Sequence, residues 1–193
     1  MKHLSDHAVR AFTLIEMLVV MGIFLVITGL VLANHSKFNS SVVLGSLAYD
    51  MALSIRQAQV YGVSVQQTPS ASFQAGYGIH FSPGSTYFLF ADTNNNGQYD
   101  AGEQQVSVYS VGQGHSIKRF CELNTFSQSV CSDDGDTPLS YLDIVFLRPN
   151  PDATFASNVP GYTSSAKIVV ASPSGETRTI TVASTGQISV SNP

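Results

Sequence analysis

The sequence predicts an α+β protein: one long N-terminal α-helix followed by an antiparallel β-sheet head. Three observations carry that expectation. Phe12 to Ala33 is a run of 22 residues with a single charge, Glu16. Leu44, Leu47, Ala48, Met51, Ile55 and Ala58 then recur at helical spacing, forming one stripe of a 3.6-residue period. From Val63 onward, short runs rich in Val, Ile, Tyr and Thr alternate with Gly, Pro, Ser and Asn, the pattern of strands and turns.

The first element is long enough to cross a membrane. At roughly 1.5 Å per residue it spans about 33 Å, against ~30 Å for a hydrocarbon core. An ionised Glu16 inside lipid is costly, so it calls for a role. Two plain readings compete: a single-pass anchor with Glu16 at headgroup level, and a secretory signal peptide cleaved after Val31-Leu32-Ala33. Met17 to Ala33 holds 17 uncharged residues, longer than the ~7–15 of a usual signal core. Lys2 and Arg10 before the run place the N-terminus in the cytoplasm, a bias made small by Lys37.

The helix does not stop at Ala33. Residues 34–41 are polar without Pro, and the stripe that starts at Leu44 carries the helix to about Tyr61, with Gly62 as its stop. Expected strands are Val63–Gln66, Tyr77–Phe81, Tyr87–Ala91, Gln105–Val111, Ile117–Leu123, Leu142–Leu147, Ala166–Ala171, Thr177–Ala183 and Gln187–Val190. Pro173-Ser174-Gly175 and Ser184-Thr185-Gly186 read as turns of a closing meander. Asp133–Thr137 and Pro149–Tyr162 read as surface loops.

Arg10-Ala11-Phe12-Thr13-Leu14-Ile15-Glu16 resembles the leader junction of type IV pilins and type II secretion pseudopilins. The resemblance implies that a prepilin peptidase cuts between Ala11 and Phe12 and that the new amine of Phe12 is methylated. It also implies that Glu16 attracts the amine of a neighbouring subunit and so sets register in a helical filament. Ala11 stands where the family usually has Gly. The order of a long helix and a β head is most similar to H-type minor pseudopilins and related minor pilins. On that plan residues 1–11 are a leader, 12–33 the transmembrane and filament-core helix, 34–62 its amphipathic half, and 63–193 the globular head. The implied partners are other pilin or pseudopilin subunits, the peptidase, an inner-membrane assembly platform, and lipid before assembly. The implied location is the inner membrane with the head outside, then a filament in the periplasm or at the cell surface. The rival reading is an anchored or secreted calcium-stabilised binding module that never enters a filament.

Composition agrees with an extracytoplasmic structural chain. Charged residues are 11% of 193. Without the leader's Lys2, Arg10 and Asp6, 7 basic and 12 acidic side chains remain, a net of −5. That charge disfavours nucleic acid, whose phosphates need Lys and Arg. DNA-binding transformation pilins carry arginines in their C-terminal strands, and Ala183 to Pro193 has none. Cys121 and Cys131 read as one disulfide in an oxidising compartment, with two free buried thiols as the alternative.

One further stretch carries chemistry. Asp92-Thr-Asn94-Asn-Asn96-Gly97-Gln98-Tyr-Asp100-Ala-Gly-Glu103 fits the calcium-loop pattern D-x-[DN]-x-[DN]-G-x5-E at every fixed position. Asp92, Asn94 and Asn96 offer side-chain oxygens, Gln98 its carbonyl, Asp100 a direct or water-mediated ligand, and Glu103 both carboxylate oxygens. The ion, Ca²⁺, would be structural. The alternative is an Asn- and Gly-rich hairpin whose side chains cap their own turns. Its flanks read as strands, so no EF-hand helix pair is expected. No His-Glu-x-x-His, Gly-x-Ser-x-Gly or P-loop pattern occurs, and the chain is not expected to be an enzyme.

Overall fold

A computed structural model describes residues 12–64, 75–126 and 128–192, and for residues 33–39 the backbone only. Helix α1 runs from Leu14 to Val63. Thr13 caps it: its hydroxyl accepts the Glu16 amide at 3.3 Å and its carbonyl accepts the Met17 amide at 3.2 Å, satisfying N–H groups that the first turn leaves without helical partners. No proline interrupts the sequence between Thr13 and Val63, so the hydrogen-bond ladder continues through both halves.

The chain parts into two units, residues 1–39 and 40–193. In the first, Leu14–Leu32 has a mean hydropathy of 2.6 and none of it is buried. In the second, Leu44, Ala48, Met51, Ile55 and Ala58 are fully buried and Leu47 is partly so. The stripe expected from the sequence is thus the helix's core face.

Among the described residues, ten strands form two five-stranded antiparallel sheets. The first is ordered β3-β2-β1-β6-β7, from β1 (Gly76–Phe81), β2 (Thr86–Asp92), β3 (Gln104–Ser110), β6 (Leu142–Phe146) and β7 (Ala153–Ser157). The second is ordered β10-β9-β8-β4-β5, from β4 (Ser116–Leu123), β5 (Ser129–Cys131), β8 (Ser165–Ala171), β9 (Thr177–Ala183) and β10 (Ile188–Ser191). Ile79, Phe81, Leu89 and Ile144 of the first sheet share one core with Phe120, Ile168, Val170 and Ile180 of the second and with α1. In β8, buried positions alternate with half-buried ones, the two-residue period of a strand with one face inward.

Two expectations are corrected. Val63 ends α1 instead of opening a strand, and the Ser64 amide donates to the Val60 carbonyl at 2.9 Å. The β-branched Val63 misled because the helix is held by contact: a methyl on Gly62 would lie 2.3 Å from the Phe146 carbonyl oxygen, so Gly62 fits the last turn against β6 instead of stopping it. Residues 65 and 66 of that expected strand lie outside the described residues. The stretch Pro149–Tyr162 is not all loop, because it contains β7, paired with β6 from Leu142↔Ser157 to Phe146↔Ala153. Its prolines flank this edge strand instead of interrupting it.

Gln59, on α1 and buried, locks the helix to the sheets. Its amide donates to the carbonyls of Pro151 at 2.8 Å and Gly186 at 2.9 Å, and its oxygen accepts from Arg56.

Candidate assembly helix and the loop after β2

At the helix start, Phe12 is 77% exposed and Glu16 lies in the first turn, exposed, with its backbone held by Thr13. A carboxylate there sits where the helix dipole favours negative charge. Ala11 lies outside the described residues. Within the second unit, α1 has a second apolar stripe opposite its core face. Val42, Tyr49, Leu53, Val60 and Val63 recur at intervals of seven, four, seven and three residues, and all are exposed, Tyr49 and Leu53 by more than 60%. Contact with the two sheets leaves that stripe uncovered.

The segment between β2 and β3 is a closed loop laid over the outer face of the first sheet. Asp92, fully buried, accepts the amides of Asn96 at 3.2 Å and Gly97 at 2.8 Å. Gly97 has φ 82°, a left-handed conformation that suits glycine. Glu103 accepts the amides of Thr93 at 2.7 Å and Asp100 at 3.1 Å, which closes the loop's base. The side-chain amides of Asn94 and Asn96 both donate to one Asp100 oxygen at 2.7 Å. Gln98 donates its amide to Asn96 Oδ1 at 3.0 Å. Burial pushes the Asp92 carboxyl above the usual carboxylate range; the amides of residues 95–97 oppose that rise and Asp100 adds to it.

Asn94, Asn96 and Asp100 are therefore brought together, while Glu103 is turned to the backbone. Among the described residues, the set of three or more His, Cys and acidic groups whose ligand atoms lie within 4.8 Å of one another is Cys131, Asp133 and Asp134. Asp92, Asp100 and Glu103 do not form such a set, and Cys131 is bonded to Cys121 at 2.01 Å across the directly paired β4 and β5.

Residues 6–32 match the family model described as the prokaryotic N-terminal methylation motif. The chain carries a prepilin-type signal. No curated protein and no solved structure matches the chain. The methylation motif ends inside α1, so the segment it names and the exposed apolar helix of the structure coincide from Leu14 to Leu32. A prepilin signal on an apolar helix fits membrane anchoring, and it implies processing by prepilin peptidase and assembly with other pilin subunits. It points to a structural, pilin-like protein.

Several groups outside the methylation motif were not singled out by the sequence. Asp143, fully buried, pairs with His80 at 2.7 Å and accepts the Tyr99 amide at 2.9 Å. The Tyr99 ring packs on His80, Phe88 and Phe90 at 4.9–5.2 Å between centroids, which anchors the loop to β1, β2 and β6. The one visible signal was an acid inside the apolar run Leu142-Asp-Ile-Val-Phe146. Glu122 is buried on β4, and nothing in its local sequence marks it.

Proposed function

We propose that the chain is a structural subunit, a pilin or H-type minor pseudopilin, of a type IV pilus or a type II secretion pseudopilus. The observation that carries the reading is α1 itself. Its methylation-motif segment from Leu14 to Leu32 is apolar with none of it buried, and its second half keeps an exposed apolar stripe after the sheets are packed. A helix with that much uncovered apolar surface needs lipid or other helices around it. Cleavage before Phe12 creates a positive amine one turn from Glu16. An amine and a carboxylate contributed by different subunits neutralise each other in an apolar filament core, where an unpaired charge is costly. Glu16 would thus select register, and apolar helix packing would supply the adhesion.

The mass of the N-terminal peptide of the protein from its own cells tests the first step. N-methyl-Phe12 is the expected start. A start at Met1 leaves a plain anchor and a start at Asn34 a secreted domain, and either overturns the proposal. Glu16→Ala is expected to remove the chain from filaments while leaving it in the membrane.

A structural Ca²⁺ in the 92–103 loop is the second part of the proposal, favoured by the meeting of Asn94, Asn96 and Asp100. Asp92, Asn94, Asn96, Asp100 and Glu103, with the Gln98 carbonyl, are an all-oxygen donor set of the kind Ca²⁺ takes. The ion would supply only a pin for the loop. A melt of the full chain in detergent that is the same in excess calcium and in chelator would rule it out.

A further inference from the structure

Glu122 lies on the core-facing side of β4. Its cross-strand partner Ala166 and its same-face neighbour Phe120 both belong to the core. Its side chain is 1% exposed as a residue, and Oε1 has no hydrogen-bond partner. The other oxygen, Oε2, lies 2.7 Å from the hydroxyl of Ser157 on β7. This contact joins the second sheet to the first.

The Ser157 hydroxyl has two other neighbours, the Val159 carbonyl at 3.0 Å and the Val159 amide at 3.2 Å. The amide can only donate, so Ser157 accepts from it. The carbonyl can only accept, and Ser157 has a single proton, which cannot serve both that carbonyl and an ionised Glu122. A proton carried by Glu122 itself satisfies both contacts at once, with the two oxygens at hydrogen-bond distance. We infer that Glu122 is a neutral carboxylic acid in the folded head and that its own O–H, donated to Ser157 Oγ, is the proton that clamps the two sheets together.

The surroundings agree. An ionised carboxylate with one oxygen lacking a donor is expensive in a core, and a neutral acid much less so. Burial pushes the Glu122 pKa up to about 7; the Ser157 contact opposes the rise and Asp143 on β6 adds to it. With the shared proton assigned to Glu122, the opposing contribution disappears. Asp143 is itself paired with His80 on β1, and Tyr141 precedes β6 nearby. On β8, Lys167 pairs with Cys121 and so points to the other face. No titratable group lies on β7, and the Cys131 thiol on β5 is in the disulfide. No cation among these groups faces Glu122.

The sign follows from linkage. The unfolded chain loses this proton near an ordinary Glu value, about 4.3, whereas the folded chain keeps it to about 7. Between those values the folded state binds more protons, so this group's contribution to stability declines as pH rises across that window and is flat above it.

The test uses the full chain in detergent micelles. In Glu122→Gln the side-chain amide takes over the donation to Ser157 and cannot ionise. The expected result is that the wild-type melting temperature falls relative to E122Q as pH rises from about 4.5 to 7, and that the infrared band of a protonated carboxyl seen at pH 6 is weaker in E122Q. Parallel melting curves for the two proteins, or identical bands at pH 6, would overturn the inference. Ser157→Ala decides if E122Q does not fold. Removing an acceptor of the neutral acid moves the midpoint of band loss to lower pH, whereas removing a donor to the carboxylate moves it up and refutes the assignment.

Discussion

Gly78 on β1 shows what single residues decide here. A methyl at that position would lie 2.7 Å from Val145 Cγ2 and 2.9 Å from both the Ile144 carbonyl oxygen and the Phe90 ring. Gly78→Ala is therefore expected to lower stability by about 1–3 kcal/mol through overpacking, measured by urea unfolding. In the sequence it is one Gly in the strand-like run Gly76-Tyr-Gly-Ile-His-Phe81, and a strand Gly signals close approach without naming the neighbour. Gln59 is similar. Its two carbonyl partners lie 92 and 127 residues away, so no local pattern announces them. Gln59→Leu removes the donors and leaves two carbonyls short of a partner. The expected loss is about 1–3 kcal/mol, read from the same unfolding curves.

Among the elements, the β4–β5 hairpin and the loop after β2 are each tied at the base. The disulfide closes a separation of 10 residues, and a loop of that size restricts the unfolded chain by about 2–3 kcal/mol. Replacing both cysteines by Ser is expected to lower stability by that amount, checked by urea unfolding without reductant. β5 is only three residues long, which is why no strand pattern revealed it. The 92–103 loop was legible as a motif, but its closure was not. Glu103 fits a calcium ligand by spacing, and in the structure its two oxygens hold the amides of Thr93 and Asp100. Sequence spacing cannot distinguish those uses, since both need an acid at the same place. Glu103→Ala is expected to destabilise the loop in chelator as well as in calcium, by about 1–3 kcal/mol, seen as an earlier melt in both.

At the scale of the molecule, α1 has two apolar faces and the sheets cover one. Buried Leu44, Met51 and Ile55 hold the fold, whereas exposed Tyr49, Leu53 and Val60 are free for contact with other chains. Leu53→Glu separates these roles. Its position is 64% exposed, so stability is expected to stay within about 0.5 kcal/mol of the parent while incorporation into filaments is lost. Melting of the purified chain and the filament fraction of cells measure the two. A variant that unfolds would show that the stripe belongs to the core.

The helix, its membrane-length segment, its processing signal and eight of the strands follow from the sequence alone, because periodicity, length and a contiguous motif are local properties. Which strands join which sheet, that Ala153–Ser157 pairs with β6, that Val63 finishes a helix, and that Glu122 meets Ser157 across two sheets were decided by the tertiary structure. Each depends on a partner distant in the chain, and the free energy of such a contact belongs to the pair and has no trace in either residue's neighbourhood.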